Sequence, residues 1–356
     1  MSMDDRPTRR VPVAELRALI ERLLMSAGAD EKSAKAAADG YLEADLRGHP
    51  MQGVDHLYSI LPRLRQGKIN GHPDIRVIRE GEGFAQIDAD LALGHYAGVV
   101  AVDLAVRKAR TSGCCAVGLL NADDIFMLGY YADRFARAGT VGFVYTAAPG
   151  RRVSVAGGID PVLGTNPFAI GVPTDGGHPV VFDTSISVRA AGVVRIASYH
   201  GDPLPEGLAI DRDGNPTTDV QAAREGALKP FGGAKGYGLG LCGALLAGPL
   251  IGGLLGEKLE QALEDPTGHE RTRGHLFIAV EPSVFVEPAQ FRKAVSAYLH
   301  DIRTSEKAPG FEEILIPGER GLRQRDESLE QGALIYESVW ENTARLAREY
   351  GVSMPA

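Results

Sequence analysis

The chain has 356 residues, 44% hydrophobic and 24% charged, with 44 glycines, three cysteines and a formal net charge of −8. That length fits two or three domains, or one large intertwined one. The acidic balance argues against a nucleic-acid binder, glycine without a G-X-Y period excludes collagen, and Cys114, Cys115 and Cys242 make neither a disulfide framework nor a zinc spacing.

The opening stretch MSMDDRPTRR is polar and has no apolar h-region, so a cytoplasmic protein is expected. Val13, Leu16, Ile20, Leu23 and Leu24 recur at helical spacing, with Gly28 as the stop. Asp30 reads as the N-cap of a second helix running towards Leu46. A third spans His56 to Leu64 and ends at Gly67, before the turn Asn70-Gly71. Alternation follows: a helix over 96–111, a strand over 114–120, a helix over 127–138 and a strand over 141–146. Strands are predicted at 167–172 and 179–183, and a helix at 186–200. This order favours an α/β fold. Residues 201–217, dense in Gly, Pro and Asp, read as a surface loop. Residues 238–255 carry no charge and are long enough to span a bilayer, but Pro249 and the many glycines favour a buried helix of a soluble core. A strand at 275–281, a helix at 288–303 and a final helix at 331–350 complete the chain.

Gly238, Gly240 and Gly243 match G-x-G-x-x-G, but they follow a loop rather than a strand, so no dinucleotide-binding Rossmann unit is expected there. The loop before them, FGGAKGYG, sets Lys235 among glycines whose backbone can approach an anion; a flexible turn with a solvated lysine explains it equally. Lysine is scarce in this chain, nine against 29 arginines. In the segment 44–56, Arg47 could clamp a carboxylate and His49 could move protons, or both could simply favour a helix C-terminus. Asp123 and Asp124 follow a strand, where α/β enzymes place ligands, or they cap the next helix.

Taken in order, RGHxxxGV near residue 50, NADDIFMLGYYA from 121, LGTNPF, DTS, GGAKGYGL, GHLFIAVEP and PGER near 317 closely resemble the type-2 malate/lactate dehydrogenase family. The resemblance runs from about Val13 to Val352. It implies a non-Rossmann mixed-sheet α/β fold with helical N- and C-terminal segments packed together. Residues 1–75 with 305–356 would form a helical terminal domain, and 76–304 the NAD(P)-binding and substrate domain. It also implies an NAD(P)-dependent oxidoreductase acting on a small carboxylate or imine, as a homodimer with no membrane or nucleic-acid partner. Thr165, Asn166, Asp183, Thr184, Ser185, Gly233, Lys235, Pro317, Gly318 and Glu319 would hold NAD or NADP, with no metal, and Arg47 would face the substrate. Three positions depart from the family pattern. Asp124 stands where its acid/base histidine does, Gln52 (after Met51) replaces the histidine of its SHG segment, and Val193 replaces a lysine. Arg47, His49, Gln52 and Asp124 are thus the candidate catalytic residues. An ionised Asp donates a proton poorly but stabilises a cation, so the pattern implies reduction of a cyclic imine or another specialised 2-oxo or 2-imino acid. A homologue that binds nucleotide without dehydrogenase activity, or one running a non-redox reaction, is the alternative.

Overall fold

A computed structural model describes residues 7–190, 192–264 and 273–355. Most of the polar N-terminal stretch read above for a targeting signal lies outside them. In chain order the elements are β1 (Thr8–Val11), α1 (Val13–Ser26), α2 (Glu31–Leu46), α3 (Leu57–Arg65), β2 (Arg76–Gly81), β3 (Phe84–Asp88), α4 (Gly94–Ser112), β4 (Cys114–Leu120), α5 (Leu128–Arg137) and β5 (Val141–Thr146). Next come β6 (Val153–Ser154), β7 (Pro161–Leu163), β8 (Phe168–Val172), β9 (Val180–Thr184), α6 (Gly192–His200), β10 (Ala209–Ile210), β11 (Pro216–Thr217), α7 (Val220–Glu225) and β12 (Ala227–Leu228). The chain closes with α8 (Ala234–Ala247), α9 (Gly256–Glu264), β13 (Gly274–Val280), α10 (Pro288–Thr304), α11 (Glu319–Gln331), β14 (Ala333–Tyr336) and α12 (Glu337–Glu349).

The helical signals at the N-terminus hold to within a residue or two. Asp30 accepts a hydrogen bond from the Ser33 amide at 2.7 Å, as an N-cap should. Gly28 takes a φ of +111°, outside the range a side chain tolerates. Leu16, Leu19, Ile20, Leu23 and Leu24 are all fully buried, so the apolar stripe of α1 is core.

Seven strands form the main sheet in the order β2-β3-β4-β13-β5-β8-β9. Only β3 and β4 run parallel, joined by the crossover helix α4; the other neighbours are antiparallel. The sheet is therefore mixed rather than doubly wound. A smaller sheet, β11-β10-β12-β6-β7, lies to one side, and β1 pairs with β14, tying the two ends of the chain together. Terminal helices complete this junction, and one core cluster runs from Val11 through α1 to α5 and on to Tyr350.

Four expectations need correction. The stretch between 71 and 96, given no element, forms β2 and β3; β2 is exposed almost throughout, so it shows no alternation of apolar and polar residues. The 201–217 loop contains the short strands β10 and β11. The single helix over 331–350 is instead the end of α11, then β14, then α12, because Gly332 at φ +94° stops one helix and Ala333–Tyr336 pair with β1. The uncharged 238–255 segment is not one buried helix: α8 starts at Ala234 and ends at Ala247, and a short turn of 3₁₀ helix follows. By length and composition the span Ala234–Ile251 could cross a membrane. In the fold it lays Gly236, Gly240, Gly243, Ala244 and Ala247 against the protein and leaves Leu239, Cys242, Leu245 and Leu250 exposed. The G-x-G-x-x-G match falls inside this helix. A Cβ at Gly240 would stand 2.3 Å from Ile186 Cδ1, so that glycine serves packing.

Candidate active site

The loop 121–127 links β4 to α5 and is held in an unusual conformation. Asn121 and Phe126 have φ values of 57° and 54°, a region costly for residues with side chains. Bonds to the preceding βα loop sustain it: Leu91 N–H donates to Asn121 O at 2.8 Å, Asp123 N–H to Ala92 O at 3.0 Å, and Asn121 Nδ2 to Asp88 Oδ1 at 2.9 Å. Neither aspartate caps α5. Asp123 is buried and takes both arms of Arg63 from α3, at 2.7 and 3.1 Å. Asp124 Oδ1 accepts the Phe126 amide at 2.9 Å, and its Oδ2 lies 3.2 Å from Arg273 Nη1.

Crowding around Asp124 works against its charge, but Arg273, the Phe126 amide, His275 and His56 outweigh it and hold the carboxyl below its ordinary range. The carboxylate is therefore ionised at neutral pH. The rings of His56, His95, Tyr41 and Phe126 cluster beside it, with His95 stacked on Phe126 at 5.1 Å. Burial pushes His95 and His275 down to about 3, so both are neutral at pH 7. Arg63, His95 and Arg273 carried no signal as site residues. Arg273 lies 149 positions from Asp124, and only the antiparallel pairing of Gly274 with Leu120 brings them together.

The segment after α2 forms the adjoining wall. Arg47 closes α2, and its guanidinium is buried between Glu43 Oε2 (2.9 Å to Nε) and Asp133 Oδ2 (3.0 Å to Nη2). Crowding, with the charges of Arg47 and Arg320, pushes His49 down to about 4. Gln52 is half-buried in a short 3₁₀ turn, and Met51 packs on Gly192 at the start of α6, near Val193. Asp124, Asp183 and His49 all keep solvent-open faces while protein hems them in on most sides, as side chains lining a cleft do.

Most of the segments expected to hold the cofactor converge on the end of β9. Asp183 Oδ2 accepts the Gly129 amide at 2.7 Å, joining β9 to the first turn of α5 just beyond the Asp124 loop. Crowding pushes this carboxyl up to about 6, against the pull of Gly129 and Arg47. Thr184 and Ser185 follow, with Thr184 Oγ1 donating to Ser185 O and Ser185 Oγ 3.1 Å from Ser187 Oγ. Ile186 N–H donates to Thr165 O at 2.9 Å, and Phe231 N–H to Ile186 O at 2.8 Å, which brings the glycine-rich loop alongside. Pro317 O accepts the Val181 amide at 3.1 Å, and a Cβ on Gly318 (φ +87°) would stand 2.6 Å from Val181 O. Asn166 and Glu319 sit at these crossings with their side chains committed. Asn166 Oδ1 accepts from Ala148 N, and Glu319 takes Arg323 and the Ile316 amide.

Beyond Gly232 lies a cavity of about 580 Å³ lined by Ser154, Ile159, Lys229, Gly232 and Gly233 among others. Gly232 and Gly233 have φ of 56° and 61°. Beyond its chain neighbours nothing comes within 4 Å of a Cβ at Gly233, so the space beside it is open, although its amide donates to Pro230 O at 3.4 Å and its carbonyl accepts the Tyr237 amide at 3.1 Å. Lys235 stands exposed in the first turn of α8. The open space beside the glycine turn and the exposed Lys235 cation suit an anionic phosphate, so these residues fit a dinucleotide cofactor.

The malate/L-lactate dehydrogenase family profile matches residues 11–343. A malate dehydrogenase of Pyrococcus horikoshii is 36% identical over 96% of both chains, and its solved structure superposes with a TM-score of 0.87 over 98% of this chain and 97% of that one. The sulfolactate dehydrogenase structure of Methanocaldococcus jannaschii is 33% identical with a TM-score of 0.88, covering 97% of this chain and 98% of its own. A delta(1)-pyrroline-2-carboxylate reductase of Ancylobacter novellus is 32% identical, across 93% of this chain and 95% of its own. Matching in fold and in sequence over nearly its whole length, the chain belongs to the malate/L-lactate dehydrogenase family and is an NAD(P)-dependent oxidoreductase.

Proposed function

We propose that this enzyme reduces a cyclic 2-imino acid or a similarly specialised substrate, with Asp124 in the place of an acid/base histidine. The observation that carries the reading is the ionised state of Asp124, held by Arg273 and the Phe126 amide. A ketone becomes an alcohol only if a proton reaches its oxygen, and histidine near neutral pH suits that step. A carboxylate with a lowered pKa has no proton to give at pH 7, and His49, His95 and His275 are held neutral, while Asp183, raised to about 6, is tied to the Gly129 amide at the end of β9. A protonated imine needs no such donor.

The bound cofactor supplies the hydride. As the new C–H bond forms at the imine carbon, the C=N π pair moves onto nitrogen and yields a neutral secondary amine, with no proton taken from the protein. Asp124 stabilises the cationic nitrogen before transfer. Gln52 lines the cleft as a neutral hydrogen-bonding group. Arg47, bound to Glu43 and Asp133, positions the wall that carries His49. A relative named for reducing a cyclic imino acid supports the reading.

In the same reading Gly233 and Lys235 hold phosphates of NAD or NADP. Asp183, Thr184 and Ser185, with the backbone around Thr165, Asn166 and Pro317–Glu319, shape the nicotinamide end. Apart from Pro317–Glu319, which come from the C-terminal segment, residues 76–304 carry these groups, and 7–75 with 305–355 close the cleft from the other side. The open apolar face of α8 and of the 3₁₀ turn after it, with Leu239, Leu245 and Leu250 exposed by 49%, 47% and 65%, suits a homodimer of a cytoplasmic enzyme.

The test is steady-state oxidation of NADH and NADPH with pyruvate, oxaloacetate and a five-membered cyclic 2-imino acid. The imino acid is expected to turn over and the plain 2-oxo acids to lag by at least about 100-fold, as for loss of a general acid. Robust pyruvate or oxaloacetate reduction, or full imine activity in D124A, would defeat the proposal. Cofactor binding without any turnover would favour a homologue that has lost its chemistry.

A further inference from the structure

Arg273 sits immediately before β13, where the pairing of Gly274 with Leu120 sets it beside the Asp124 loop. Only 9% of its side chain is exposed, and Nη1 meets Asp124 Oδ2 at 3.2 Å. The contact is an ion pair without hydrogen-bond geometry, because Nε and Nη1 are buried and lack any hydrogen-bond partner. A guanidinium carries five N–H donors in a planar fork. Leaving two of its nitrogens unpaired away from water is costly, and native proteins rarely tolerate it without a ligand, water or mechanistic reason. Its neighbour His275 spends Nδ1 on Thr146 Oγ1, at 2.7 Å. Nε and Nη1 are closed to solvent in this arrangement, so the missing bonds come from a group that enters beside Asp124 and displaces its contact with Arg273. Asp124, with 46% of its side chain open, marks where such a group arrives.

We propose that Arg273 is a specificity-determining carboxylate anchor, and that the Asp124–Arg273 pair together reads a zwitterion. A protonated cyclic 2-imino acid carries its cationic nitrogen and its carboxylate on the same carbon, C2. The cleft offers the opposite charges in the same close arrangement, 3.2 Å apart. Asp124 faces the nitrogen and the Arg273 fork takes the carboxylate, which orients the C=N bond. A substrate lacking the carboxylate leaves the buried Arg273 guanidinium with its unpaired nitrogens. The inference rests on the imine reading above, but it assigns a role to Arg273 that binding can test without turnover.

The probes are pyrrole-2-carboxylate, a planar ring acid, and its neutral amide, titrated calorimetrically with oxidised cofactor present. The wild-type protein is expected to bind the acid about 10–100-fold tighter than the amide, the span of one charge-assisted hydrogen-bonded contact. R273Q should bind the two alike, and R273K should recover part of the preference. In turnover of a cyclic 2-imino acid, R273Q should raise KM by a similar factor and also lower kcat, because Asp124 loses the cation that keeps it ionised. Equal binding of acid and amide by the wild type, or unchanged acid affinity in R273Q, overturns the anchor. So does an equal loss for both probes in a folded R273Q, since a purely structural ion pair would act that way. An acid preference that depends on Arg273 in an enzyme inactive on imines upholds the anchor and defeats the reaction assigned above.

Discussion

At the scale of single residues, the cleft is governed by how its charges are matched. Asp123 has Arg63 in a two-armed contact, and Asp124 has Arg273 and one amide. Asp45, on the last turn of α2, has no cation partner: its Oδ2 accepts the Val54 amide at 2.9 Å, and its Oδ1 fills the space that a Cβ on Gly53 would need. Burial pushes its carboxyl up to about 8, with the Val54 bond opposing and Asp55 adding to the rise. An unfolded Asp loses its proton near pH 4. The folded protein keeps that proton until about pH 8, so this site lowers stability as pH rises between those values, by up to about 1.4 kcal/mol per pH unit. D45N keeps the acceptor and removes the titration. Urea unfolding at pH 5 and pH 8 should show a flatter pH dependence for D45N and greater stability than wild type at pH 8; parallel profiles would show that Asp45 ionises freely in the fold.

At the scale of elements, α4 and the Asp124 loop are built against each other without spare room. A Cβ on Gly94, the first residue of α4, would stand 1.9 Å from Asp124 O and 2.7 Å from Asp123 O, both main-chain atoms that cannot swing aside. G94A should therefore shift the loop that carries Asp124. A shift near 1 Å lowers kcat/KM by about 100-fold, while overpacking costs stability only about 1–3 kcal/mol. Kinetics alongside unfolding curves separate the two, and unaltered kcat/KM would mean the loop has slack. Much of this element is legible in sequence: the strand 114–120, the helix after it and the polar loop between them follow from composition. The close approach does not. Gly94 falls just before the helix expected over 96–111, and a packing partner 30 residues away leaves no periodic trace in the sequence.

At the scale of the whole molecule, the terminal pairing of β1 with β14 closes the chain on itself, and the apolar face of α8 remains open. With a second copy covering that face, L245E should move the protein from dimer to monomer mass by light scattering. A dimer that persists in L245E would place the contact elsewhere. Length and uncharged composition mark the 238–255 segment as apolar, and Pro249 and the glycines within it favour a buried helix of a soluble core over a membrane span. Its depth of burial differs from that expectation, since hydropathy does not say which side of an apolar helix the rest of the chain covers.

The sequence by itself determined the helices of the N-terminus, the alternation from 96 to 183 and the ordered motifs that carry the family. Each of these depends on neighbours a few positions apart or on residue identities that recur in order. Only the tertiary structure decided how the charges are spent: Arg47 on Glu43 and Asp133, Arg63 on Asp123, and Arg273 on Asp124. Ionisation and hydrogen bonding depend on distance and burial, and the strand pairing that sets Arg273 beside Asp124 spans 149 residues.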